Sequence, residues 1–187
     1  YYSVRQFPYL PIRWGLWWND AALIDFDSDG DLDVVLIHVD TDNWEPTPTW
    51  VLENDGSGRF MNATRTMYPE EEVLSIGVNV LKVADFSGDG RDDIYYIDQG
   101  RDAPPWGGNV NTLLIQTPDG RLEDQTDARI PDISNFTHDG ALADIDSDGD
   151  VDIFNCDVYG GDSGSTLYIN DGDGVFSDGS SQIPMVL

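Results

Sequence analysis

Five aspartates, Asp144, Asp146, Asp148, Asp150 and Asp152, alternate through DIDSDGDVDIF just before the chain turns apolar. Carboxylates at alternate positions of a tight loop converge on one point, and they repel one another unless a cation neutralises them. The same pattern stands in DFDSDGDLDVVLI from Asp25 and in DFSGDGRDDIYYI from Asp85. All three fit D-x-[DS]-x-D-G-x-x-D, and their starts lie 60 and 59 residues apart (25 to 85, 85 to 144). Repetition at a fixed period marks one structural unit used three times.

Hard oxygen ligands in this number suit Ca²⁺, which takes about six to eight of them. The expected ligands in the first copy are Asp25, Asp27, Asp29 and Asp33, with the carbonyl of Asp31. In the second they are Asp85, Ser87, Asp89 and Asp93, with the carbonyl of Arg91. In the third they are Asp144, Asp146, Asp148 and Asp152, with the carbonyl of Asp150. That makes about three ions, one per repeat, each with a structural role. The sixth position is glycine in every copy, which permits the sharp turn. The second copy is expected to bind most weakly, because Ser87 replaces a carboxylate and Arg91 adds positive charge. An EF-hand is excluded: position twelve is Leu36, Tyr96 or Asn155 rather than glutamate, and β-prone runs flank the loops.

The elements that must hold these loops repeat as well. Short apolar stretches, AALI, NVLKVA and GALA, precede the motifs. Downstream stand WVLENDGSGRF from Trp50, LLIQTPDGRL from Leu113 and LYINDGDGVF from Leu167. Each reads as a strand, a glycine turn of hairpin type and a short strand. One unit is therefore strand, acid loop, strand, long loop, strand, tight turn, strand. Helical periodicity is weak, with Pro69–Val78 the best candidate for a helix. The predicted fold is all-β: three tandem four-stranded antiparallel blades of a β-propeller, at about 14–66, 75–127 and 138–180.

These residues resemble the FG-GAP/VCBS repeat family, the calcium-loop blades of integrin α-subunit propellers and of many bacterial extracellular proteins. DFDSDGDLDVV and VLENDGSGRF look like the VCBS form in particular. The resemblance covers roughly Trp14 to Ser180. It implies structural calcium, a place outside the cell, and roles in adhesion, glycan binding, enzyme scaffolding or assembly. Family members usually close a ring of more blades than three, so this chain is expected to be part of a larger propeller or assembly. SQIPMVL at the end resembles ARIPDIS, the connector into the third motif, as though a fourth blade followed.

Composition narrows the partners. With 36 acidic and 9 basic residues, the net charge is −27. Nucleic acid and anionic membrane surfaces are disfavoured as partners, since binding phosphate needs a basic face. The 6 Trp, 8 Tyr and 7 Phe supply the aromatic content of a packed core, which acidic disordered tails lack. No apolar run is long enough to span a membrane. The single cysteine, Cys156, allows no internal disulfide and reads as a small buried hydrophobe in a strand.

In a four-stranded unit, the acid loops and the final hairpin turns share one end, and the long second loops lie at the other. Trp44 and Trp106 sit beside prolines in equivalent long loops and are candidates for stacking on a sugar or anchoring a protein. Trp14, Trp17, Trp18 and Trp50 are expected to pack in or near the core. Asn62 and Asn135 head glycosylation sequons, Asn135, in a connector, being the better candidate. His38 reads as structural, any pairing of His138 and Asp139 as local, and no catalytic set of residue types emerges. The expected function is an extracellular or cell-surface calcium-binding module for a protein or glycan ligand. The alternatives are a structural subunit that self-associates through open blade edges and a scaffold part of a carbohydrate-active enzyme. Asp-rich loops of moderate affinity fill where calcium is millimolar, as it is outside cells.

Overall fold

The computed structural model describes residues 16–67, 74–158 and 164–184. Its strands run β1 (Leu16–Ile24), β2 (Asp33–Asp40), the two-residue β3 (Thr47–Pro48), β4 (Trp50–Asn54) and β5 (Phe60–Asn62). They continue with the equally short β6 (Leu74–Ser75), then β7 (Val78–Ala84), β8 (Asp93–Asp98), β9 (Thr112–Gln116) and β10 (Leu122–Asp124). The last are β11 (Thr137–Ala143), β12 (Asp152–Asp157), β13 (Ser165–Asn170) and β14 (Phe176–Asp178). The chain is all-β. Three four-stranded antiparallel sheets form in the orders β1-β2-β4-β5, β7-β8-β9-β10 and β11-β12-β13-β14, and β3 pairs with β6. Of the helix expected over Pro69–Val78, residues 69–73 lie outside the described residues. Leu74–Ser75 and Val78 are in strands, drawn there by pairing with β3 and β8.

The three sheets share their irregularities as well as their order. Each first pair carries a register shift at the same place, between Trp18 and Asp20, Val78 and Val80, and Thr137 and Asp139. A bulge here re-aims the strand. After each fourth strand comes a single turn: α1 (Thr64–Met67), α2 (Thr126–Arg129) and a 3-10 turn at Ser180–Gln182. Its first hydroxyl accepts a backbone amide of the third strand. Thr64 accepts from Val51 at 3.0 Å, Thr126 from Leu113 at 2.9 Å and Ser180 from Leu167 at 3.1 Å. The hydroxyl replaces a carbonyl that the short fourth strand no longer supplies.

The second sheet lies between the other two. Val35, Ile37 and Val51 of the first sheet meet Ile94, Tyr96 and Leu114 of the second. On its other face, Tyr95, Ile97 and Leu113 meet Ile153, Tyr168 and Phe176 of the third. Alternation along β8 thus feeds two cores, and all six of its residues are buried. Each interface is tied at both ends. At the far end, the bulge residue Asn19 donates to the Val78 carbonyl at 3.0 Å, and Asn79 to the Thr137 carbonyl at 3.5 Å. At the loop end, the Gln116 amide donates to the Phe26 carbonyl, and the Asn170 amide to the Phe86 carbonyl at 2.9 Å.

Several side chains lie elsewhere than their types suggest. Cys156 is exposed in β12, not buried, because among the described residues no sheet lies over its face of the third sheet. Trp17 is 66% exposed and Trp18 39%, so neither fills a core. Trp50 is half-buried, and Trp14 lies outside the described residues. His38 is buried as expected of a structural residue, stacked on Trp18 at 4.9 Å between ring centroids. Burial holds its imidazole below the ordinary value, with Asp40 opposing. Asp139 pairs across sheets with Lys82 at 3.0 Å rather than locally with His138, which stacks on Phe136.

Candidate metal centre

Each acid loop joins the first two strands of its sheet, and the same amides fold it. The opening carboxylate accepts from the backbone of the turn. Asp25 accepts from Gly30 at 3.1 Å, Asp85 from Asp89 at 3.0 Å and Gly90 at 2.8 Å, and Asp144 from Asp148 at 3.1 Å and Gly149 at 3.2 Å. Gly30, Gly90 and Gly149 have φ of 93°, 86° and 104°, a backbone region that only glycine enters without strain. The fifth-position aspartate then caps the amide two residues on: Asp29 that of Asp31, Asp89 that of Arg91, Asp148 that of Asp150.

The ninth-position aspartates are straps as well as candidate ligands. Asp33 accepts the Asn54 amide at 2.7 Å and the Phe26 amide at 3.3 Å. Asp93 accepts from Gln116 at 2.8 Å and Phe86 at 3.0 Å, and Asp152 from Asn170 at 2.9 Å and Ile145 at 2.7 Å. Each therefore ties its loop to the end of the third strand. All three are buried. Burial pushes the Asp33 carboxyl up to about 6, with Asp27 and Asp29 adding to the rise, and raises Asp93 likewise. In the third loop, desolvation and then Asp148 and Asp152 raise Asp146. Charge of one sign is crowded into these loops.

Two of the loops fit a cation. Asp25, Asp27 and Asp29 each offer an oxygen within 4.8 Å of the others, and so do Asp144, Asp146 and Asp152. Asp25 Oδ1 is also buried without a hydrogen-bond partner among the described residues. A buried, unpaired carboxylate oxygen is costly, and a bound ion would satisfy it. Asp33 in the first loop and Asp148 in the third stand beside these groupings rather than within them. The side chains of Asp31 and Asp150 lie over Gly56 and Gly172 of the neighbouring hairpin turns, where a Cβ would collide with the carboxylate.

The second loop differs. Among the described residues, Asp85, Ser87, Asp89 and Asp93 form no such three-carboxylate grouping. The Arg91 guanidinium pairs with Asp89 and reaches the Gln116 carbonyl at 3.2 Å through Nε. Here the chain supplies its own cation.

The remaining candidates divide. Trp44 and Trp106 both have φ of 54°, unusual for a bulky residue, and occupy matching places after β2 and β8. Trp106 is 39% exposed and Trp44 half-buried. Asn62 is exposed, with its carbonyl oxygen accepting the Thr64 amide at 3.0 Å. Asn135 is half-buried and donates to Asp157 at 3.0 Å, so it is the less accessible of the two.

Sequence reasoning missed a polar network between the second and third sheets. Tyr95 donates to Asn155 Oδ1 at 3.1 Å, Asn155 to Thr166 at 3.2 Å, and Thr166 to Asp157 at 3.1 Å. Thr137 adds a bond to Asp157 at 2.6 Å. Its members, Tyr95, Thr137, Asn155, Asp157 and Thr166, are dispersed over four strands, so no local motif announced it.

Among the described residues, no helix is long and apolar enough to cross a membrane. No curated protein matches the chain. The model of the FG-GAP-like repeat matches residues 25–96 and 85–155, each span running from one acid loop through the next. Together they cover well over half the sequence, and the chain belongs to the FG-GAP-like repeat family.

Proposed function

We propose that the chain is a calcium-stabilised module of the β-propeller type, acting outside the cell, which binds a protein or glycan at the end of the sheets opposite the acid loops. The observation that carries this is the pair of three-carboxylate groupings in the first and third loops, each held by backbone amides at the base of a sheet. Oxygen-only ligands on a small loop suit Ca²⁺ above softer metals. Calcium there neutralises the loop and locks the hairpin, leaving the opposite end free for recognition. Millimolar calcium outside cells would keep such sites filled. At the distal end, Trp106 and the half-buried Trp44 offer flat apolar surface on backbone fixed by the turn bonds Trp44 N to Asp40 O (2.8 Å) and Trp106 N to Ala103 O (2.9 Å).

The test has two arms. Calorimetric titration of metal-free protein should detect calcium binding with little competition from Mg²⁺; absence of binding overturns the metal reading. Screening on a glycan array and against extracellular matrix proteins, with Trp44→Ala and Trp106→Ala as controls, tests the distal end. Binding that both variants retain in full removes these residues from the reading. Shortened glycan products would point instead to a scaffold role in a carbohydrate-active enzyme.

A further inference from the structure

The three acid loops are far apart in sequence, yet one unbroken line of hydrogen bonds joins them. Gln116, at the end of β9, is its first joint, 1% exposed and held from two sides. Its side-chain amide donates to the first loop, to the Asp25 carbonyl at 3.3 Å and to the Phe26 carbonyl. Its backbone is held by the second loop. The N–H donates to Asp93 at 2.8 Å, and the carbonyl accepts from Arg91 Nε at 3.2 Å. Asp93 also accepts the Phe86 and Ser87 amides, both at 3.0 Å. The carboxylate that receives Gln116 thus sets the bend of the second loop.

Asn170 repeats the joint one sheet on. Its side-chain amide donates to the Phe86 carbonyl at 2.9 Å. Its N–H donates to Asp152 at 2.9 Å, and the other oxygen of Asp152 accepts the Ile145 amide at 2.7 Å. The line starts at Asp25, in one three-carboxylate grouping, and ends at Asp152, in the other. Gln116, Asp93, Phe86, Asn170 and Asp152 are all buried, so water does not compete for its bonds. The second loop carries its own cation, Arg91 paired with Asp89, and so holds the middle of the line without a metal ion.

We infer that the first and third loops bind calcium cooperatively, with Gln116, the second loop and Asn170 as the coupling element. This rests on the metal reading above. Asp25 and Phe26, once ordered in a filled first loop, fix the acceptors of Gln116. Each joint so fixed lowers the conformational entropy that the next must lose. Asp152 then meets its ion with part of the ordering of the third loop already done. Linkage makes the effect mutual, so each loop raises the affinity of the other by the same factor.

Asp27→Asn and Asp146→Asn each remove a carboxylate from one grouping and leave the other to be titrated alone. Calorimetry with calcium then gives an association constant for each single site. In the parent, the product of the two strongest constants should exceed the product of those two by about fivefold or more, as coupled sites typically do. Gln116→Met keeps the side-chain volume and removes the amide, leaving the backbone groups that meet Asp93 and Arg91. In that background both loops should still bind, and the excess should vanish. Hydrogen exchange gives a second readout. In Asp146→Asn, calcium should slow exchange of the Asn170 backbone amide, and adding Gln116→Met should abolish the slowing. A parent product equal to the single-site product, or an excess that Gln116→Met leaves intact, would overturn the inference. Should Gln116→Met fail to fold, the parent and the two single-site variants still decide it. Two loops that bind independently would sink the coupling alone, whereas a parent that binds no calcium would sink the metal reading with it.

Discussion

Asn170 donates its side-chain amide at 2.9 Å to the carbonyl of Phe86, 84 residues earlier in the chain. The same amide reaches the Val151 carbonyl at 3.2 Å, and its oxygen accepts from Gly172 and Gly174 at 3.1 and 3.0 Å. One buried side chain thus fixes its own hairpin turn, its own acid loop and the loop of the preceding sheet. Asn170→Ala strands several of these groups and should cost about 2–4 kcal/mol, given roughly 1–3 kcal/mol for each buried group left unpaired. Asn54→Ala, which breaks no bond between sheets among the described residues, should cost clearly less. Urea denaturation with unchanged slope measures both, and equal losses would count against the amide as an inter-sheet tie.

The loops differ in the charge they carry, and so should their metal content. Native mass spectrometry in calcium should find two ions held strongly, at Asp25–Asp29 and Asp144–Asp152, and a weaker third or none. Arg91→Asp removes the guanidinium paired with Asp89 and restores the aspartate of the other copies at this position, leaving Ser87 as the remaining difference. It should raise occupancy to three. No change in occupancy would mean that Arg91 is not what sets the second loop apart.

Removing metal exposes the repulsion. Asp146 is raised by desolvation and by Asp148 and Asp152, so the loop without metal holds more negative charge than it favours. Asp146→Asn should lower the melting temperature in calcium, through loss of a ligand. In chelator it should leave the temperature unchanged or raise it, through relief of repulsion. Thermal melts under both conditions check this, and a loss of the same size in each would remove Asp146 from the ligand set.

Asp157 lies at the other end of the third sheet, 7% exposed, and its carboxyl is raised by burial despite bonds from Thr137, Thr166 and Asn135. A raised folded value means that the neutral form is favoured in the fold. Its contribution is full below the ordinary value of 3.8 and is lost as the pH rises through the raised value. The parent should therefore gain stability relative to Asp157→Asn as the pH falls from neutral into this window. Paired urea curves at several pH values in chelator read the difference, and a gap that does not move with pH would show that Asp157 titrates normally.

Much of the molecule was legible in the residues because its determinants are local. The alternating aspartates with glycine sixth set the loop, and β-prone runs on either side made strands of its flanks. Asp-Gly turns closed the final hairpins, and a period near 60 residues made three copies of one unit. The departure of the second loop from the other two was also visible, in Ser87 and Arg91. What the sequence left open depended on which sheet lies over which face. Ile97 and Cys156 occupy the same place in β8 and β12, yet one is fully buried and the other exposed. Trp18 and Val78 differ in the same way. Asn170 and Gln116 look like ordinary turn residues until the preceding loop comes within reach, and Asp139 finds Lys82 only once two sheets are stacked. Spacing along the chain determines what a loop of seven or nine residues can do, but burial and long-range pairing are properties of packed faces. Those faces are decided only when sheets from distant parts of the chain exclude water between them.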